Sequence, residues 1–421
     1  MARNTIAIFA GDGVQRAMDL VFLLVMARLA GPADYGLLML ATASTGFITD
    51  FISVHIEESV VRFAAEAIER GEAARTQTIL AVGYVTNGII ILATVAILLA
   101  AAPLIAGRYR VQNPEEVASL IRILSLVPLA KIFNGTSKMA LRIFDRFTFL
   151  ASYRAVKGIL NLALPLALYF AWGRDLRGAA WGFVASAVAT TMIVQAGTWR
   201  ELRRRFAALQ MSPFRPELRR LFPFVFHTNL SGYLKSINRY FDVLLLGVFA
   251  PPAVVGYYKL ALSVTSSLGI IAQPLSYVIY PTFSRLSAAG KNVELRALIA
   301  KSSLVLAALT IPAALLLASL SSPILARFAN GEDFAPAAGA LPILLLYVTA
   351  SNVLIWTRPA TLAIGKPEYS TVANTLSTLL LLALCFILFP TTLEENRHVA
   401  AAVAVTASQV TGMLLIVFLL Y

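Results

Sequence analysis

Residues 12–36 read DGVQRAMDLVFLLVMARLAGPADYG, a stretch whose middle is as apolar as a membrane-buried helix yet which carries Asp12, Arg16 and Asp19. Spacings of four and then three place these groups on one helical face. A second stretch, KSINRYFDVLLLGVFAPPAVVGYY at residues 235–258, repeats the arrangement with Lys235, Arg239 and Asp242. An ionisable group at the centre of a bilayer costs about 3 kcal/mol on insertion scales. A pattern used twice at that cost is expected to face a protein interior or a wet cavity rather than lipid.

Composition sets the class around these stretches. The chain is 58% hydrophobic and only 14% charged, with a mean hydropathy of +0.76, which lies outside the range of soluble domains. An all-α polytopic membrane protein is expected. Crossing about 30 Å of hydrocarbon takes roughly 20 apolar residues. Twelve segments qualify, near 5–29, 34–61, 77–101, 119–141, 149–172, 178–199, 221–249, 253–283, 298–321, 338–363, 369–389 and 398–421. The first apolar run continues into a full-length span instead of stopping at a small-residue cleavage site, so the N-terminus is expected to be retained. The single cysteine, Cys385, forms no intrachain disulfide, which leaves packing to hold the fold.

The longest connection, RELRRRFAALQMSPFRPELRR at residues 200–220, divides the chain into an N-terminal six-helix bundle at 1–200, a basic linker at 201–220 and a C-terminal six-helix bundle at 221–421. Arginines crowd one set of connections, including Arg62, Arg70, Arg75, Arg142, Arg146, Arg154 and the seven from Arg200 to Arg220; the other set carries Arg108, Arg110, Arg174, Arg177, Arg327 and Arg397. Basic residues near span ends are retained on the cytoplasmic side, so both termini are expected there. Topology and anionic headgroups account for the net charge of +13 better than nucleic acid does, since no soluble module is present to bind it.

Internal repetition extends past the charged triplets. A shift of 220 residues lays Ala30, Pro32, Ala33, Gly36, Leu40 and Ala41 on Ala250, Pro252, Ala253, Gly256, Leu260 and Ala261, whereas the triplets align at 223. Six spans per half make both halves enter the membrane in the same direction. That predicts two bundles related by a pseudo-two-fold along the membrane normal, with a cavity between them.

The helix ending ARLAGPADYG, its echo FDVLLLGVFAPPAVVGYY, the charged connection VVRFAAEAIERGE and the segment YPTFSRL together resemble the multidrug/oligosaccharidyl-lipid/polysaccharide (MOP) flippase superfamily over the whole chain, and within it the Wzx-type polysaccharide and O-antigen exporters. The resemblance implies a flippase, not an enzyme. It would carry a polyprenyl-diphosphate-linked oligosaccharide across the cytoplasmic (inner) membrane by alternating access, for cell-surface polysaccharide such as lipopolysaccharide. It further implies a monomer without cofactor, set among membrane lipids, with polysaccharide polymerase or assembly proteins as partners. Members with further C-terminal spans exist, and this sequence ends at Tyr421 inside an apolar run.

Two other classes compete. A drug/cation antiporter of the same superfamily should show an acidic or aromatic cavity. A membrane polysaccharide polymerase or ligase needs a sizeable external loop with catalytic residues, whereas GRYRVQNPEEV and ARFANGEDFAP are short and hold no clustered acid, base or nucleophile.

For the flippase, Arg16, Lys131, Lys138, Lys235 and Arg239 are the candidate substrate-binding cations. Lys131, Lys138 and Arg142 recur at seven and then four residues on one face of the fourth span, with Lys131 close to mid-depth at about 1.5 Å per residue. Asp12, Asp19 and Asp242 are candidates for ion coupling or for pairing with these cations; a plain intramembrane salt bridge of Arg16 with Asp12 or Asp19 is the competing reading. Lys157 and Arg358 have no clear place. His55, His227 and His398 are scattered and form no transition-metal cluster with the lone cysteine. No GxxxxGK[ST] phosphate loop is present to bind ATP. Bends are expected at Pro128, Pro165, Pro274, Pro312 and Pro359.

Overall fold

The computed structural model describes residues 2–53, 57–206, 212–213, 233–234, 236–321, 323 and 333–420. Among them the regular elements are helices: α1 Ala2–Ile52, α2 Glu57–Glu69, α3 Ala73–Ala106, α4 Pro114–Leu124, α5 Leu126–Ala130, α6 Asn134–Ile143, α7 Phe147–Ala171, α8 Leu176–Arg205, α9 236–249, α10 Pro252–Ser266, α11 Gln273–Ala288, α12 Asn292–Ser319, α13 Ala337–Val353, α14 Thr357–Ala363, α15 Pro367–Thr391 and α16 Arg397–Leu420. Nine helical stretches among the described residues are long and apolar enough to cross a membrane. One of them, Ala10–Ile52, covers two of the twelve expected spans. The seventh, at 221–249, lies partly outside the described residues.

The turn inside the opening stretch has a local cause. A residue ahead of proline is disfavoured in helical geometry, and glycine reaches a left-handed φ without a Cβ penalty. Gly31 does so at φ 76° and ψ 173°, so α1 is two helices meeting at Gly31–Pro32. The second copy makes the same break by other means: Pro251 is extended at φ −65° and ψ 159°, and Pro252 opens α10.

The chain forms two compact units, the first made of Met1–Phe22, Ala41–Arg108 and Gln112–Ser236 and the second of Leu23–Leu40, Tyr109–Val111 and Ile237–Tyr421. Residues 23–40, around the first turn, therefore pack with the C-terminal helices. There the two repeat turns meet reciprocally. A Cβ at Gly36 would collide with the carbonyl oxygen of Pro252, and one at Gly256 with that of Pro32. Position 36 meets 252 while 256 meets 32, the mark of a local two-fold.

In the first unit α1 and α7 run parallel, as two odd-numbered spans must. Contacts advance together from Gly11 on Ala151 to Gln15 on Gly158 and Asp19 on Asn161. The glycines let the two backbones approach closely. Helices α7 and α8 run antiparallel, with Gly178 against Leu168 and Gly182 against Pro165. The connecting helix α2 is amphipathic and buries Val60, Phe63, Ala64 and Ala67 on Ile79, Val82, Ala140 and Phe144. Ser212, at the described part of the linker, donates its backbone N–H to Thr78 Oγ1 at 2.8 Å.

The fourth span departs from the continuous helix expected over 119–141. It is interrupted at Ser125 and again at residues 131–133, between α5 and α6. Pro128 contributes to the first break, because it lacks the N–H that Leu124 O would accept in a continuous helix. The face expected to join Lys131 to Lys138 and Arg142 therefore does not run straight through. The tenth span is interrupted at 354–356, between α13 and α14, which is 223 residues further on and matches the offset of the charged triplets. A backbone carbonyl freed inside a membrane needs a donor. Asn87 Nδ2 on α3 supplies one to Ile132 O at 2.8 Å, and Ser303 Oγ on α12 supplies one to Val353 O at 3.0 Å. The segment expected as one span over 253–283 is likewise divided, with α11 starting one residue before Pro274.

Candidate functional site: a lysine-lined cavity at a broken helix

Interrupted spans at matching positions of two repeats are where transporters place their binding sites, because the break exposes backbone and re-aims side chains. A cavity of about 310 Å³ lies against the break in the first unit. The second arm of α1 lines it with Thr42, Thr45, Thr49 and Asp50, the broken span with Pro128 and Lys131, α7 with Lys157 and Asn161, and α8 with Phe183. Lys131 sits at the turn itself and feels the charges of Lys157, Lys138 and Asp19. The hydroxyls of Thr45 and Thr49 are buried without a hydrogen-bond partner among the described residues. Two ammonium groups, one at the turn of the broken span and one on α7, with two unpartnered hydroxyls beside them, suit a guest that is anionic at one end and rich in hydroxyls at the other.

The acidic stripe of α1 meets α7. Arg154 Nη1 lies 2.5 Å from Asp12 Oδ1. Asp19 accepts from Asn161 Nδ2 at 3.5 Å and from Gln15 Nε2 at 3.4 Å, while Ser186 Oγ donates to Asn161 Oδ1 at 2.7 Å. Lys157 is within electrostatic reach of both Asp19 and Asp12. Arg16, on the same helical face, is exposed. Lys138 is half-buried on α6.

The second copy has a different environment. Asp242 is buried, only 3% exposed, and accepts from Tyr258 Oη at 2.5 Å and from the backbone N–H of Val243 at 2.8 Å. Lys259 also interacts with its charge. Arg239 is exposed, with its guanidinium 5.9 Å from the centre of the Tyr240 ring. Asn238 Nδ2 donates to Thr378 Oγ1 at 2.9 Å, and Gln409 Nε2 donates to Asn238 Oδ1 at 3.2 Å. Lys235 lies outside the described residues. Asp19 and Asp242 thus align in the repeat but differ chemically: one borders a lysine cavity and the other is enclosed by a tyrosine.

The sequence pattern singles out none of three contributors: Arg154 reads as part of a basic connection, Lys157 has no clear place, and Asn161 is one uncharged polar residue in an apolar run. Their signal was present, since spacings of three and four put them on one face of α7. Thr42, Thr45 and Thr49 follow the same rule on α1.

A helical membrane fold with a repeated broken span and a polar cavity inside it has the build of a transporter, and the family matches place it in the MOP superfamily. The chain belongs to the polysaccharide biosynthesis protein family, matched over residues 1–287. Residues 230–387 also match the MatE family. Inner membrane protein YghQ of Escherichia coli (strain K12) is 24% identical over 305 residues, covering 68% of this chain and 80% of that protein. Among solved structures, an inward-facing multidrug resistance MATE family transporter of the MOP superfamily matches with a TM-score of 0.79 at 16% identity, over 99% of this chain and 97% of that one. The lipid II flippase MurJ in an inward closed conformation matches with a TM-score of 0.77 at 16% identity, over 99% of this chain and 87% of that one. A MOP superfamily transporter from Pyrococcus furiosus, described as having a binding pocket of reversed polarity, matches with a TM-score of 0.68 at 16% identity, over 99% and 94%. At these identities the structural likeness establishes the fold.

Proposed function

We propose that the chain is a Wzx-type exporter, which moves an oligosaccharide carried on a polyprenyl diphosphate across the cytoplasmic membrane by alternating access. The observation that carries this reading is the cavity of the first unit, where Lys131 and Lys157 outnumber Asp50 beside the unpartnered hydroxyls of Thr45 and Thr49. A hydrogen bond from an ammonium to a phosphate oxygen contributes about 1.5–3 kcal/mol, roughly 10- to 100-fold in affinity. The diphosphate binds the lysines, sugar hydroxyls meet the threonines and Asn161, and the polyprenyl tail stays in lipid. Asp19, at the edge of the cavity, and the enclosed Asp242 are the groups for ion coupling. Both termini face the cytoplasm because the basic connections do. Family membership in polysaccharide biosynthesis and the likeness to a lipid flippase support this choice of substrate.

A drug/cation antiporter is the second reading, favoured by the MatE match and by Asp50 in the lining. Reconstitution separates the two. Proteoliposomes loaded with a polyprenyl-diphosphate oligosaccharide are assayed for the sugar reaching a lectin on the far side. Lys131→Gln or Lys157→Gln should each slow translocation at least tenfold. Full activity in the double variant, or proton-driven uptake of a cationic dye with no movement of saccharide, overturns the proposal.

A further inference from the structure

We infer that the first unit carries a second, lateral site: a groove that holds one acyl chain of an anionic glycerophospholipid, with the lipid's phosphate at Arg203. This site is separate from the lysine cavity and does not depend on which substrate that cavity carries. The groove encloses about 630 Å³ between α3, the break before α6, and α8, and is lined chiefly by Tyr84, Phe133, Gln195, Trp199 and Leu202.

Its setting indicates what fills it. Val85, Ile89 and Leu92 form an exposed stripe on α3, and Val188 and Met192 form another on α8. Exposed apolar stripes on two spans beside one groove mean that it opens to hydrocarbon, so a chain and not water occupies it. The floor is compatible with that occupant because its polar groups satisfy one another. Ser137 Oγ lies 2.7 Å from Tyr84 Oη and donates to Gln195, and Thr198 Oγ1 donates to Ser137 O at 3.3 Å.

The end of the groove selects the headgroup. Arg203 lies over the exposed Trp199 ring, 4.8 Å from its centre, which positions a guanidinium directly beside the groove. The neighbouring Glu201 is held by Arg146 at 2.9 Å, Arg204 at 3.7 Å and Arg205 at 3.9 Å. One carboxylate among four arginines leaves this end of α8 strongly positive. An aromatic ring at the membrane boundary with an arginine stacked on it suits a phosphate above a chain.

The test uses the whole protein in nanodiscs and the fluorescence of Trp199, taken as the difference between the wild type and Trp199→Phe. Lipids with dibrominated chains quench a tryptophan they touch. Brominated phosphatidylglycerol should half-quench the Trp199 signal at a mole fraction about fivefold lower than brominated phosphatidylcholine, as expected for one arginine near an anionic lipid. Arg203→Gln should abolish that preference without changing the elution profile of the protein. Equal quenching by the two lipids would mean that the groove meets bulk lipid only, and a preference that survives Arg203→Gln would mean that the phosphate is not held at Arg203; either result overturns the inference.

Discussion

The reciprocal contact of the two repeat turns makes a quantitative prediction. In Gly36→Ala the added Cβ would run into the carbonyl oxygen of Pro252, and in Gly256→Ala into that of Pro32. These are backbone atoms that cannot rotate away, so the helix pair must separate. Overpacking of this kind costs about 1–3 kcal/mol, with a backbone obstacle at the upper end. Alanine recovers about 1 kcal/mol of helix propensity over glycine, leaving a net loss near 2 kcal/mol for either change. Both collisions are relieved by the same separation, so the double variant should lose less than the two single losses added together, by about 1 kcal/mol. Gly88→Ala is the control, because its Cβ would meet nothing closer than Ile132 Cδ1 at 3.8 Å. It should be neutral or stabilising. Equilibrium unfolding of the purified protein in mixed micelles measures all four variants. The reciprocal packing is refuted if Gly36→Ala matches the control or if the two losses simply add.

Asp12→Ala and Arg154→Ala should show a coupling of only about 1 kcal/mol in a double-mutant cycle, because Arg154 keeps 36% of its side chain exposed and water screens the pair; a coupling of several kcal/mol would contradict that screening. Tyr258→Phe removes the hydroxyl that donates to the buried Asp242 and should cost about 1.5–3 kcal/mol in the same unfolding assay, with Asp242→Leu added on top recovering most of it. Arg16→Ala and Arg239→Ala are expected to abolish export while membrane abundance stays at the wild-type level, and Arg239→Lys to restore part of it, since lysine keeps the charge but not the planar fork. For Arg239 the decisive result is folding: loss of the protein in Arg239→Ala, with abundance and export both regained on adding Asp242→Ala, would mean that the arginine serves only the fold.

The residues alone determined what is local. Apolar runs of sufficient length specify membrane helices because every backbone group must be satisfied within the segment. Gly31–Pro32 and Pro251–Pro252 specify turns because proline constrains the residue before it. The repeat was legible because the same side chains recur at fixed offsets, and the charged stripes because helical spacing is periodic. Tertiary structure decided which faces meet. Asp12 pairs with Arg154, 142 residues away in sequence, because Gly11 and Gly158 bring α1 and α7 together in a particular register. Lys131 reaches the same cavity as Lys157 because its helix stops at 131–133, and that stop is supported by Asn87, an amide from another span. Asp242 is enclosed by Tyr258, although its repeat partner Asp19 borders the lysines. A linear pattern records which side chains share a face of one helix; the close approach of backbones selects the neighbour that face is given.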